Sequence, residues 1–489
     1  MNNLNRHYAP IVSGLVVLLL VVLLPAEFDH WSNPRNLSQS ATNSLDPAIA
    51  IGQDGKIHVV WAEWDQPPLL FKSRLYYIQF NGSFWTDALI ITPTKGTTNW
   101  NPHIALDNDG HPHVVWERFD EGEIYYKYYN GASWTVEHNI SESSGSSYNP
   151  KIKIDQKNRK HIVWNDNSSG SPSILYRYID DTYRSPTAVI SDTLTCSEAP
   201  VLEIDEDNFI HCAWISAPSS GQKYRIQYRS RKLEDWSPIE HISADTLEAK
   251  DPALALKSDG SAVLVWRQIL ADGQNEQIYL REQSSGLWAD PEPVCDPGNF
   301  LKPDVVIGEQ DQIYVVWNNR SSSSTSSRLH LSRYTQRQWA GPFVLLEQLP
   351  YDCLKPKIAL DSHQQVHLVW QYMQPKAQPC GEIYYVFEDL LNAVRPGSGK
   401  PPQALQLDQN YPNPFNGQTT IGFELQQAGQ YRLEISDLNG KRVETLSDAF
   451  WPAGRHRLQV DGSHLASGIY MYTLRGQNSV VTKKMILLR

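Results

Sequence analysis

The sequence predicts an all-β protein, a seven-bladed β-propeller followed by a small Ig-like β-sandwich. Two observations carry the prediction. A proline, alternating apolar residues, a polar turn and an apolar run ending in tryptophan recur seven times at a period near 50 residues. A second, aromatic-rich pair of strand-like segments follows most copies, and no 3.6-residue apolar periodicity appears along the chain.

Taken in order, the chain opens with Arg6 and His7, an apolar run from Ile11 to Leu24, and Pro25-Ala26. Residues 1–26 therefore read as an export signal peptide, since the 14-residue run is short of the ~20 residues of a bilayer span. No later run has spanning length, so no stable membrane span is expected once the signal is removed.

The repeat occupies residues 30–390. Pro47, Pro102, Pro150, Pro200, Pro252, Pro303 and Pro356 each stand 14 residues before Trp61, Trp116, Trp164, Trp214, Trp266, Trp317 and Trp370. Each copy reads as two strands joined by a hairpin such as Asp54-Gly55, the second strand apolar at nearly every position because both its faces are covered. Third and fourth strands follow, marked by a second tryptophan (Trp134, Trp236, Trp288, Trp339) and usually a closing Ile-Ser. Four antiparallel strands per period is the arithmetic of a propeller blade. The seventh repeat has a third strand, Glu382–Glu388, but no fourth. His30–Ser38, with a tryptophan and a Leu-Ser, matches the missing one, so the N-terminal segment should close the ring.

Composition narrows the partners. A net charge of -11 without a basic run gives no footprint for nucleic acid. Five cysteines are too few for a disulfide scaffold. Cys353 and Cys380 flank strands of the last blade on one face and form a candidate disulfide, whereas Cys212 sits inside an apolar strand as a buried thiol.

The strand-end loops supply the candidate binding face. Glu63, Trp64, Glu117, Arg118, Asn165, Asp166, Arg267, Asn318, Arg320 and Tyr372 follow the strand tryptophans, while Asp46, Asn101, Asn149 and Asp251 precede the prolines. These positions vary between blades, as a site assembled from several blades requires. His58, His113, His161, His211 and His367 recur at one repeat position. A ring separates them too widely for one metal, which favours blade packing with satisfied ring nitrogens. Asp107-x-Asp109 and Asp205-x-Asp207 lack the remaining ligands of a calcium loop and are explained as turn residues. No metal or cofactor is expected.

Beyond a Pro/Gly linker at residues 391–403, the composition changes. In residues 404–489 the segments Asn410-Tyr411-Pro412-Asn413-Pro414-Phe415-Asn416, Asp437-x-x-Gly440, Leu465–Tyr470 with Gly468, and Lys483-Lys484-Met485 resemble the type A C-terminal sorting domain of the type IX secretion system. That resemblance implies a partner in the secretion machinery, and a secreted or cell-surface protein of a Gram-negative bacterium. The blade repeat resembles the sialidase-like propeller superfamily, although Asp107-x-Asp109-Gly110 lies further before Trp116 than an Asp-box requires. The resemblance implies three converging arginines and a tyrosine–carboxylate pair. Arg118, Arg267 and Arg320 are the arginines at equivalent strand ends.

The sequence thus favours a non-catalytic module that binds a glycan or another extracellular macromolecule. A sialidase-like glycoside hydrolase on the same face and a structural surface protein without a ligand are the alternatives.

Overall fold

The structure is a computed structural model. It describes residues 31–64, 72–92, 96–218, 222–232, 235–319, 326–335, 338–347, 349–374, 380–388, 406–410, 412–425, 429–437, 441–451, 454–476 and 480–488. The expected signal peptide and linker lie outside these residues. Two compact units divide the chain, Met1–Ala393 and Val394–Arg489. Among the described residues, helix is limited to one 3-10 turn, Glu309–Asp311, and no helix is long and apolar enough to cross a membrane.

In the first unit each repeat forms one antiparallel sheet, its strands A to D running outward in chain order. Blade 1, for example, has A at Ser44–Ile51, B at Ile57–Trp64, C at Ser73–Phe80 and a short D at Leu89–Ile90. Strand B is buried along most of its length in every blade, which explains its unbroken apolar sequence. The seven strand-B tryptophans are at most 1% exposed. They hold neighbouring blades together: Trp116 packs with Ala48 and Val60 of the preceding blade, and Trp61 with Val369 and Ile383 of blade 7.

Blade 7 is completed from the N-terminus. Strands A (Asp352–Leu360), B (Val366–Gln374) and C (Cys380–Phe387) are joined by Arg35–Asn36, with Arg35 opposite Tyr385 and Asn36 opposite Tyr384. The Leu37 amide donates to the Ile383 carbonyl at 2.7 Å, the Ser32 amide to the Phe387 carbonyl at 2.9 Å, and Trp31 bridges Glu388. The closure expected from the missing fourth strand is therefore formed.

The repeating proline has a structural cause. In every A–B pair the register shifts around it, as between Leu45 and Ala48 in blade 1. Two residues of strand A oppose one of strand B, which is a β-bulge. Proline has no N–H, and the bulge is where strand A needs no ladder donor there. The residue before it takes positive φ in all seven blades: Asp46, Asn101, Asn149, Ala199, Asp251, Lys302 and Lys355 lie between 50° and 53°. Aspartate and asparagine tolerate that conformation best, and they fill four of the seven positions.

At the hairpin end, the recurrent histidines are packing residues. His113 shares a 2.6 Å hydrogen bond between Nδ1 and the Tyr126 hydroxyl, and His161 a 2.7 Å one with Tyr176. His58, His211 and His367 do the same with Tyr77, Tyr228 and Tyr385, each at 2.7 Å. A carboxylate approaches the other ring nitrogen, Asp155 at 3.1 Å from His161 and Asp107 at 3.3 Å from His113. The five rings are separate inter-strand locks, one per blade.

The expected Cys353–Cys380 bridge does not form. Cys353 is a buried free thiol. Its residue pairs with Tyr372 on strand B, whereas Cys380 pairs with Gln374 from the other side of that strand. Two strand spacings, about 10 Å, separate strands A and C. A disulfide needs Cα atoms within about 7 Å. Cys212 is a fully buried thiol in strand B, as expected.

The second unit is a β-sandwich. Strands Gln406–Leu407, Gln418–Leu425 and Gly454–Asp461 form one sheet; Arg442–Trp451, Gly429–Ser436, Gly468–Arg475 and Val480–Leu487 form the other. Phe415, Ile421, Phe423, Ile435, Tyr472 and Met485 fill the core between them. The Asn-rich motif fastens this sandwich. Asn410, 1% exposed, donates to the Pro412 carbonyl and to Thr419 Oγ1, and Asn413 accepts from the Ile486 amide at 2.8 Å. Phe415 pairs through its backbone with the last strand. Tyr411 is outside the described residues, and Lys484 is exposed on the final strand.

Candidate functional site

The seven bulges place their leading side chains around one mouth of the central channel. The channel is a cavity of about 1190 Å³ lined by strand A of every blade. Because the bulge turns the residue before each proline toward this mouth, the rim is built from a position that differs between blades: Asp46, Asn101, Asn149, Ala199, Asp251, Lys302 and Lys355.

Much of the rim is internally paired. Lys355 Nζ contacts Asp46, Lys302 Nζ lies 2.6 Å from Asp251, and Arg267 Nε lies 2.8 Å from the other Asp251 oxygen. Arg267 also reaches Glu276 at 2.6 Å. Just outside the rim, side chains following the strand-B tryptophan hold the bulge amide of the next blade. Asn165 accepts from the Ala199 amide at 3.1 Å, Asn318 from the Lys355 amide at 3.3 Å, and Glu117 from the Asn149 amide at 3.4 Å.

The remaining sequence candidates are arranged differently. Arg118 is buried, paired with Glu137, and stacked 3.8 Å above the Tyr125 ring. Asp166 accepts from Ser147 Oγ at 2.7 Å. Glu63 accepts from Trp61 Nε1 at 3.1 Å, and burial raises its carboxyl above the usual range. Trp64 is half-buried. Tyr372 packs between Tyr351 and Tyr384, with burial pushing its phenol up to about 12. Arg320 is outside the described residues. Arg118 and Arg267 do not converge, since their guanidinium groups are committed to different carboxylates on different blades.

One cluster on the rim joins a predicted residue to unpredicted ones. Glu117, 6% exposed, accepts from Asn101 Nδ2 at 2.9 Å. Burial raises its carboxyl above the usual range, and the two hydrogen bonds from Asn101 and Asn149 oppose that only in part. Tyr148 stands within electrostatic reach of both Glu117 and Glu198, its phenol raised by burial and by those charges. Glu198 also lies within electrostatic reach of Tyr224, whose phenol is raised by burial first and then by that charge. Two carboxyl groups and a second phenol thus lie within electrostatic reach of Tyr148, with Tyr148 and Glu198 next in sequence to the rim residues Asn149 and Ala199, on blades 2 to 4. Trp100 and Phe119, with ring centroids 4.7 Å apart and planes tilted by 38°, adjoin this cluster, with Phe119 55% exposed. Tyr148 and Glu198 stand two residues before their prolines, a position at which the seven blades carry Leu45, Trp100, Tyr148, Glu198, Lys250, Leu301 and Leu354. That variability was the available signal.

At the opposite, hairpin end, Asp107, Asp109 and His111 bring potential ligand atoms within 4.8 Å of one another. Asp107 is already engaged by the amides of Asp109 and His111 and by His113, which accounts for the trio as turn chemistry.

Comparison with known proteins separates the two units. Residues 409–488 match the family model of the secretion system C-terminal sorting domain. None of the curated proteins matches the chain. Among solved structures, an ulvan lyase of polysaccharide lyase family PL25, bound to a GlcA(1-4)Rha3S repeat, superposes with a TM-score of 0.52 at 10% identity, covering 73% of this chain and 96% of its own. The polysaccharide lyase Uly1 gives 0.50 at 9% identity, covering 70% and 89%. A protein of unknown function from Dyadobacter fermentans gives 0.44 at 10% identity, covering 72% and 98%. At such identities the likeness establishes the propeller fold. Residues 409–488 are a secretion system C-terminal sorting domain, and the chain is a β-propeller protein exported by the type IX system to the cell surface or beyond it.

Proposed function

We propose that the propeller is a glycan-cleaving enzyme that works at the channel mouth on the side of blades 2 to 4. The carrying observation is Glu117, buried beside the rim with Asn101 Nδ2 and the Asn149 amide on its carboxyl group, and the Tyr148, Glu198 and Tyr224 side chains around it. Glycosidic-bond cleavage by hydrolysis needs one carboxyl group protonated and one ionised. Burial favours the protonated state of Glu117, which suits donation of a proton to the leaving glycosidic oxygen as its bond to the anomeric carbon breaks. Glu198, the second carboxyl group within reach of Tyr148, is the partner that takes a proton from the attacking water. Trp100 and Phe119 offer faces for sugar rings. The polysaccharide lyases that share the fold support a glycan as substrate.

Incubating the purified chain with uronate-containing, sulfated and neutral polysaccharides should release reducing ends from at least one. Glu117→Gln and Glu198→Gln should each lower the rate by about 100-fold or more, the scale of a lost general acid or base. Ultraviolet absorbance from an unsaturated uronate would reassign the cleavage to elimination. A second reading, binding without cleavage, draws on the ion pairs that lock Asp46 and Asp251 at the rim. It takes over if no polysaccharide is cut while one binds.

A further inference from the structure

Below the rim, the channel holds charge that the cleavage cluster does not use. Two residues along strand A from Asn101, Asn149, Lys302 and Lys355, and lining the same channel, stand His103, Lys151, Asp304 and Lys357. His103 Nδ1 accepts from the Ile152 amide at 3.3 Å, which places the proton of the neutral ring on Nε2 and makes that atom a donor. Burial, then the nearby Lys151, Lys153 and Lys357, keep the ring neutral by holding its pKa well below the usual value. Asp304 is engaged by Lys357 at 3.3 Å and by the Ile358 amide at 3.1 Å. Lys153 is paired with Glu203 at 2.8 Å.

Lys151 differs from every other channel lysine. Lys153, Lys302, Lys355 and Lys357 each have a carboxylate partner, and among the described residues Lys151 has none. Desolvation, and then Lys357, pull its ammonium down to about 8. A partly desolvated cation beside a second cation and a ring N–H is an arrangement that gains from an incoming anion.

We propose that Lys151, Lys357 and His103 form a subsite for an anionic oxygen group of a glycan, a carboxylate or a sulfate ester, entering from the mouth. The subsite rests on the reading of the mouth as a glycan site and specifies that the substrate is acidic. An oxyanion there would accept from the Lys151 ammonium and the His103 Nε2–H, and Lys357 would supply the balancing charge.

The test is calorimetric titration of the full chain with sodium glucuronate, glucose 6-sulfate, inorganic sulfate and glucose. Glucuronate or glucose 6-sulfate should bind, glucose should not, and Lys151→Met should weaken binding at least tenfold while Lys357→Met weakens it less. Which of the two acidic sugars binds identifies the source of the anion. Because a bound anion favours the charged ammonium, titration near pH 8 should show proton uptake, seen as an enthalpy that changes with the buffer, and Lys151→Met should abolish it. Absence of binding, or equal binding by Lys151→Met, overturns the subsite; so does binding of inorganic sulfate with neither sugar. Glu117→Gln separates the two proposals, because it should stop cleavage and leave anion binding in place.

Discussion

A chain that begins after Ser38 is expected to lose the cooperative folded propeller. Residues 31–38 close blade 7, and their removal exposes the edge of strand Cys380–Phe387. It also deletes Leu37, which is 3% exposed against the core shared by blades 7 and 1. Glu382, only 2% exposed, loses the Ser38 hydroxyl at 2.7 Å. Loss of a buried aliphatic side chain costs about 2–5 kcal/mol, each hydrogen bond about 1 kcal/mol, and a buried carboxylate stripped of a partner adds to both. The total approaches the ~5–15 kcal/mol by which domains are stable at all. Thermal unfolding by circular dichroism, with size-exclusion chromatography for aggregation, compares the shortened chain with one starting at residue 27. Leu37→Ala should give an intermediate result, a loss of about 3 kcal/mol. Melting of the shortened chain within a few degrees of the longer one would show that the ring holds without its closing strand.

That closure was legible before the structure because it rests on counting: seven Pro-to-Trp units, six complete fourth strands, and one orphan strand at the other terminus. The site was legible only in part. Side chains alternate along a strand, so residues one and two positions after a tryptophan cannot share a face. Glu117, Asn165, Arg267 and Asn318 occupy the first position and reach the rim, whereas Arg118 and Asp166 occupy the second and turn to Glu137 and Ser147. Treating both positions as one loop end merged two faces. Tyr148 and Glu198 escaped because the bulge reorients strand A just beyond them, and no propensity in the sequence states where a bulge aims a side chain. The cysteine pairing failed on a similar point, since two residues near one face of a blade can still have a strand between them.

The histidine locks carry a signal that the sequence does hold. His58, His113, His161, His211 and His367 face Tyr77, Tyr126, Tyr176, Tyr228 and Tyr385 on strand C. In the two blades with Val263 and Tyr314 at the histidine position, strand C offers Leu280 and Leu331 instead. The pair therefore changes together within a single chain. Asp107, Asp155, Asp205 and Asp361 stand six residues before four of the histidines, whereas Gly52 holds that position in the His58 blade and Lys257 and Gly308 hold it in the two blades without a histidine. Covariation of the His–Tyr pair between repeats is what a packed inter-strand lock predicts and a diffuse polar surface does not.

These locks should make the propeller labile to mild acid. Burial lowers the pKa of all five histidines, His58 to about 4, and the facing carboxylates of Asp54, Asp107, Asp155, Asp205 and Asp361 oppose it only partly. Lys56, His111, Lys160, Arg159 and Arg231 add to the lowering around His58, His113 and His161. A histidine with a depressed folded pKa is neutral in the fold and takes up a proton in the unfolded chain near pH 6.5. Its stabilising share is complete above that pH and is lost as pH falls toward the folded value. For His58 the loss approaches roughly 3 kcal/mol by about pH 4, at ~1.4 kcal/mol per pKa unit, and the other four histidines lose in the same direction. Glu63 and Glu117 act oppositely, because burial raises them and protonation relieves that cost, but chiefly in the lower part of the window. The melting temperature should therefore fall steadily from pH 7 to pH 5, before the carboxyl groups of the unfolded chain titrate. His58→Val, which copies the residue that blade 5 carries as Val263, should flatten that slope while costing only about 1–2 kcal/mol at neutral pH, the scale of one hydrogen bond with its packing. A melting temperature level between pH 7 and pH 5, or a slope unchanged in His58→Val, would remove the histidines as the acid-sensitive element.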